Sequence, residues 1–305
     1  MSAKSLDAMW LVRFVCLAAM MLVASLASFA TAYASTPPTT HNSANAVTGP
    51  PQIAGATILS GTAIEGGLIV ARTMPDAQIW LDDTSIARAD NGVFVIGFHR
   101  DSDQPVKITI SMADGTTHNS VLTPAQRDYN IQRIDGLKSQ HVTPPPARIA
   151  RIKADAAAVR AARDTRVPTG DFWTGFDWPA RGRISGVFGS QRILNGVPRQ
   201  PHYGLDIAGP TGTPVYAPAS GVVTLVKDLY FSGWTVMLAH GLGVNSAFLH
   251  LDMAAVKTGD TITRGQLIGH IGATGRATGP HLDWRIDWNG RRIDPGLLVD
   301  MTNKP

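Results

Sequence analysis

Cysteine is almost absent: the only one in 305 residues is Cys16, early in an N-terminal apolar run and without the flanking pattern of a lipoprotein site. A disulfide framework is therefore excluded, and stability must come from the core and perhaps a metal. Glutamate is equally scarce, with Glu65 as its single occurrence. That excludes a helix-borne H-E-x-x-H zinc site, in which the glutamate is the general base. Proton transfer in the C-terminal half must fall to His, Asp, Tyr or water. No run of Lys and Arg interleaves with aromatics, so nucleic acid is not indicated as a partner. With 44 % hydrophobic and 16 % charged residues, long disorder is not the default either.

The N-terminus is rich in what the rest lacks. Lys4 and Arg13 precede "FVCLAAMMLVASLASFA", which ends in small residues with "AYAS". Residues 1–34 read as a secretory signal peptide cleaved after Ala34. The alternative is an uncleaved single anchor, because the run is about as long as a short membrane span. Only that alternative brings the chain to a membrane. Cleavage removes Lys4, Arg13 and Asp7, taking the charge from 27 − 23 = +4 to 25 − 22 = +3. A mild positive excess suits an anionic surface.

The expected fold is predominantly all-β. Residues 35–52, rich in Thr, Pro, Ser and Asn, read as a flexible linker. From 53 to 134 the runs "QIWLDD", "GVFVIGF" and "VKITISM" are separated by turn signals at 82–83, 91–92 and 114–115, and Val106, Ile108, Ile110 and Met112 alternate with polar positions. These predict a β-sandwich-like N-terminal domain. Residues 135–171 hold a Pro-rich linker followed by "ARIKADAAAVRAARD", a helix of about three or four turns. Residues 172–300 return to short strands between glycines and predict a C-terminal antiparallel β domain.

The chemistry-bearing residues fall in that last segment. "PHYGLD" holds His202 and Asp206, "FLHL" holds His250, and "TGPHLDWRI" holds His281 and Asp283. If each stretch is a strand, His202, Gly204 and Asp206 share one face, as do His281 and Asp283. Gly204 then leaves open space in which a metal can sit. A lone strand histidine is more often structural, but these residues on three short strands permit one polar cluster. His240, His270 and Asp294 take blander readings, as a strand-end, a surface and a turn residue. Trp284 and Trp288 suit a packing face. Arg192 and Arg285 either line a groove or are solvated.

"PHYGLDIAGPTGTPVYAPASGVVT", "AHGLGV", "FLHLD", "VKTGDTITRGQLIGHIGATGRATGPHLDWRI" and "RRIDP" together resemble the lysostaphin-type, LytM-like zinc metallopeptidases of bacterial cell walls, over about Phe172 to Pro295. The upstream "YNIQRIDGL" resembles a periplasmic, Gram-negative-type subgroup. The resemblance implies a duplicated hybrid motif fold, a periplasmic or cell-envelope location, and peptidoglycan as substrate. A wall-hydrolase or divisome protein is the further partner it suggests. Carried over, His202 and Asp206 become zinc ligands and His250 and His281 the catalytic pair. The third ligand position, a histidine in the family pattern, falls on Asp283.

That departure has physical consequences. Asp oxygen is a legitimate zinc ligand, but two carboxylates leave a Zn²⁺ site neutral rather than +1. The site becomes a weaker Lewis acid, and its donors suit Mn²⁺ or Fe²⁺ better than two imidazoles do. The leading expectation is a metal-dependent D,D-endopeptidase cutting peptidoglycan cross-links or stems. Its alternative is a catalytically impaired domain that binds peptidoglycan or activates another hydrolase.

Overall fold

The computed structural model describes residues 51–134 and 146–303. The expected signal peptide or anchor, Cys16, most of the 35–52 linker and residues 135–145 of the Pro-rich stretch lie outside the described residues. No helix among the described residues is long and apolar enough to cross a membrane.

Two small antiparallel sheets form from the 53–134 segment. The first orders β1 (Thr57–Ser60), β2 (Leu68–Arg72) and β5 (Val93–Gly97). The second orders β4 (Thr84–Ile86), β3 (Gln78–Leu81), β6 (Val106–Ser111) and β7 (Thr117–Leu122). On β6 the period-2 pattern is realised, with Ile108 and Ile110 buried and Lys107 exposed. The expected turns carry the left-handed residues Asp82, Gly92 and Gly115. Ile69, Phe94 and Ile96 of the first sheet join Ile79, Ile108 and Ile110 of the second in one core.

Strand β8 (Ile131–Ile134) breaks the pattern. It pairs in parallel with β10 (Gln191–Leu194), which makes a hairpin with β11 (Val197–Pro198). The expected antiparallel C-terminal domain is borne out in the large sheet; this one parallel pairing arises because a strand from the first half completes a small sheet of the second. The two halves also meet through Arg100 Nε to Gly189 O at 2.9 Å, Arg291 Nη1 to Gly97 O at 2.9 Å, and the Arg127–Asp294 ion pair at 2.8 Å.

The helix α1 (Ile149–Asp164) follows. Its Ala-rich sequence has high helix propensity, yet no side chain caps its start. Tertiary contacts hold it instead. Asp155 Oδ2 accepts from Tyr230 N at 2.8 Å, Lys227 Nζ lies 3.3 Å from Asp155, and Arg151 reaches Asp228 at 2.9 Å.

The large sheet is antiparallel throughout. Its main order is β17 (Thr261–Ile262), β14 (Gly221–Leu229), β15 (Gly233–Gly241), β16 (Val244–Ala254), β19 (His281–Trp288), β12 (Leu205–Ala208) and β9 (Arg183–Gly186). Off this path, β13 (Pro214–Tyr216) pairs with β18 (Leu267–Ile271), β18 with β16, and β20 (Arg291–Ile293) with β19.

Strand β19 organises the site. Its even positions, Leu282, Trp284, Ile286 and Trp288, are at most 2 % exposed and enter the core. Burial of each stabilises the fold by about 2–3 kcal/mol. Alternation then forces His281, Asp283, Arg285 and Asp287 onto the opposite face. With β16 and β12 on either side, this polar row runs through the interior of the sheet.

Candidate metal centre

Cross-strand register places Asp206 of β12 directly opposite Asp283 of β19, and Leu249 of β16 opposite Asp283 on the other side. His202 does not belong to β12, which begins at Leu205; it sits in the preceding loop, where its backbone N–H donates to Ser190 O at 2.8 Å. The expected strand spacing from His202 to Asp206 is therefore corrected, but the side chains still converge. One ligand-type atom from each of His202, Asp206 and Asp283 lies within 4.8 Å of the others.

Two of these atoms are unsatisfied. His202 Nε2 and Asp206 Oδ1 are 3.1 Å apart, both buried, and neither has a hydrogen-bond partner. Burying such atoms without partners costs on the order of 1–3 kcal/mol each, and a divalent cation between them removes that cost. The donor chemistry thus fits a metal. Burial opposes a charge on His202, but the carboxylates of Asp206 and Asp283 outweigh it and raise its pKa.

Asp283 is different. Both of its oxygens lie 3.0 Å from Arg285 Nε, and Oδ2 lies 2.5 Å from Arg285 Nη2. Burial pushes the carboxyl pKa up, but Arg285 and, secondarily, His202 hold it below the usual value. The space above Gly204, expected to hold a metal, is filled by these two residues. A Cβ there would lie 2.1 Å from Asp283 Oδ1 and 2.9 Å from Arg285 Cγ. Gly186 plays a matching part on β9, where a Cβ would lie 2.2 Å from Asp206 Oδ2. Each glycine makes room for one carboxylate.

His250 and His281 stand side by side, with ring centroids 4.9 Å apart. His281 Nδ1 is 2.8 Å from Gly279 O, and His250 Nδ1 is 2.8 Å from Thr274 O. A carbonyl only accepts, so Nδ1 carries the proton in both rings. In a neutral ring, Nε2 then carries a lone pair. Burial keeps His250 neutral by lowering its pKa. Its backbone lies at φ +63°, a conformation costly for a non-glycine residue.

Residues 200–295 match the model of peptidase family M23. A solved structure from Pseudomonas aeruginosa, a putative peptidase M23, is 30 % identical with a TM-score of 0.63, and the alignment covers 79 % of this chain and 96 % of that one. The chain belongs to peptidase family M23. Among curated M23 relatives, the peptidoglycan DD-endopeptidase ShyA of Vibrio cholerae is 41 % identical over 113 residues, which is 37 % of this chain and 26 % of that protein. The DD-carboxypeptidase/endopeptidase Mpg of Neisseria meningitidis is 40 % identical over 94 residues, 31 % of this chain and 22 % of that protein. The matched segment thus spans about a quarter of the length of these relatives.

Within this M23 domain, His240 is buried, with Nδ1 2.8 Å from Ser220 O and Nε2 2.7 Å from Ser246 Oγ. Arg192 is exposed on β10 and contacts Gln132 at 3.3 Å, whereas Arg285 is bound to Asp283 within the candidate metal centre. Two arginines beside the polar row of β19, Arg163 and Arg292, escaped sequence reasoning. Arg292 is opposite Asp287 in the β19–β20 register, and Arg163 reaches Asp287 from the end of α1. The available signal was the i, i+2 continuation of the polar row to Asp287.

Proposed function

We propose that this M23 domain is a zinc-dependent endopeptidase that hydrolyses peptide cross-links or stems of peptidoglycan, with His202, Asp206 and Asp283 as metal ligands. The observation that carries this reading is the pair of buried, unpartnered atoms, His202 Nε2 and Asp206 Oδ1, beside Asp283. When bound, the metal supplies Lewis-acid polarisation of the scissile carbonyl and a more acidic water. His281 accepts the proton of the attacking water at Nε2, because its Nδ1 is committed to Gly279 O. The same N–H then donates to the departing amine. His250, oriented by Thr274 O, donates or accepts at its own Nε2 as charge develops on the carbonyl oxygen.

The names of ShyA and Mpg favour a D,D-bond as the one cleaved here. Such a substrate places the protein in the periplasm or cell envelope, in keeping with export by residues 1–34. Two carboxylates in the ligand set make Mn²⁺ or Fe²⁺ credible alternatives to Zn²⁺. Purified peptidoglycan incubated with the protein, with and without EDTA, tests the reading by mass spectrometry of released muropeptides. New cross-link cleavage products that vanish with EDTA are expected, and equal release after chelation removes the metal mechanism.

The hold of Arg285 on Asp283 favours a second reading, a catalytically impaired module that binds peptidoglycan or activates a wall hydrolase or divisome partner. Binding to the polymer without any new product distinguishes it.

A further inference from the structure

The polar row of β19 does not stop at the metal cluster. Two residues beyond Asp283 is Arg285, and two further is Asp287, buried at 3 % exposure. Around Asp287 gather Arg292 Nη1 at 3.6 Å and Arg163 Nε at 3.8 Å. Neither guanidinium makes a hydrogen bond among the described residues, and Arg163 Nε and Asp287 Oδ2 are both buried without a partner. Arg292 also lies 5.8 Å from the ring centre of Tyr203. Three guanidinium groups thus face two carboxylates. Asp283 already engages Arg285, so Asp287 is the one carboxylate that Arg163 and Arg292 share.

Such a cluster is costly without a further anion. Arg163 and Arg285 both repel Arg292, and together with burial, the largest cause, they lower its pKa to about 10. The side chains are nevertheless not sealed off. Arg285 is 29 %, Arg163 21 % and Arg292 17 % exposed. Arg163 and Arg292, partly exposed and without hydrogen bonds among the described residues, offer guanidinium forks that match a planar carboxylate.

We infer that Arg163, Arg285 and Arg292 form a carboxylate-binding subsite along β19 beside the candidate metal centre, which selects peptides bearing a free carboxylate near the scissile bond. The strand sets the distance. Each two-residue step along β19 covers about 7 Å, so the subsite begins one step from Asp283 and is centred near two. An extended substrate of similar rise places the recognised carboxylate about two to four residues from the bond being cut. It is either a chain-terminal or a side-chain carboxylate. This inference rests on the peptidase reading for its substrate, but its test does not require turnover.

The full chain is treated with EDTA so that ligand is not consumed, then titrated calorimetrically with a cross-linked stem-peptide dimer. The same dimer is supplied with its terminal carboxylates amidated and, separately, with its side-chain carboxylates amidated. One amidation is expected to weaken binding at least about tenfold, which identifies the source of the carboxylate. Arg292→Gln should bind acid and amide alike, at the affinity that the wild type shows for the amide. Arg292→Lys, which keeps charge but loses the fork, should retain part of the preference. Equal binding of all three peptides by the wild type overturns the subsite, whether or not the variants fold. So does an Arg292→Gln protein of wild-type melting temperature that keeps the full preference. If the preference is present but metal-loaded protein cleaves no bond, the subsite stands and the peptidase reading falls.

Discussion

Arg285 holds Asp283 by both carboxylate oxygens from two positions further along the same strand, with the shortest contact at 2.5 Å. A cation therefore already holds the carboxylate proposed as a ligand, and a metal bound there would have to share or displace it. Removing the guanidinium in Arg285→Gln frees Asp283. In the metal-free protein this strands a buried charge and lowers stability by about 3 kcal/mol. Zinc affinity, measured by calorimetric titration, should rise about tenfold or more. Unchanged affinity would show that the ion pair does not compete with the metal.

The complementary variant, Asp283→Asn, keeps the shape and removes the charge. It should weaken metal binding by about 100-fold, equivalent to about 2.7 kcal/mol, and leave Arg285 without its partner. Metal content after dialysis against a weak chelator reads this directly. Full retention of metal would take Asp283 out of the ligand set.

Gly204 has no positive φ to protect, so its test is steric. In Gly204→Ala the new methyl starts 2.1 Å from Asp283 Oδ1. Overpacking of this kind costs about 1–3 kcal/mol. The carboxylate must move, so metal affinity should fall together with the denaturation midpoint. A variant with wild-type stability and metal affinity would show that the strands give way freely.

His250 separates backbone from side chain. At φ +63°, His250→Gly relieves strain that His250→Ala retains. The glycine variant should be the more stable of the two by about 1 kcal/mol in urea unfolding. Both lack the imidazole and should lose cleavage activity to a similar degree. Equal stabilities would place no strain at this position.

His240 makes stability depend on pH. Burial, the largest cause, lowers its pKa from the ordinary 6.5 to about 4. Above about pH 6.5 the ring is neutral in both folded and unfolded chains, so the neutral folded form carries no penalty. As pH falls from 6.5 towards 4, the unfolded chain takes up a proton that the folded chain refuses. Stability should then decline by up to about 3 kcal/mol. Urea midpoints between pH 7 and pH 4, compared with His240→Gln, isolate this slope; identical slopes in the two proteins would assign the decline to other groups.

How much of this was legible in the sequence can be argued from β19. Alternation alone separates His281 and Asp283 from Leu282 and Trp284, because a strand between two neighbours has one core face. The turn signals and the Ala-rich helix are local features and also appear where the residues predict them. What stayed hidden depends on distant partners. Nothing local says that the cleft above Gly204 is filled from β19, or that Arg163, at the end of a helix more than a hundred residues earlier, meets Asp287. The loop position of His202 was missed because a two-residue period cannot show where a strand begins.

The parallel pairing of β8 with β10 has a topological meaning. The first half is tied to the β10–β11 hairpin through residues 131–134, in a sheet separate from the large one, while α1 reaches β14 of the large sheet from residues 149–164. Non-covalent contacts thus join the described residues on either side, 51–134 and 146–303. Each segment contributes one side of the contacts Arg100–Gly189 and Arg127–Asp294. Persistence of the pairing between the two segments therefore rests on side-chain and strand contacts as well as on chain connectivity.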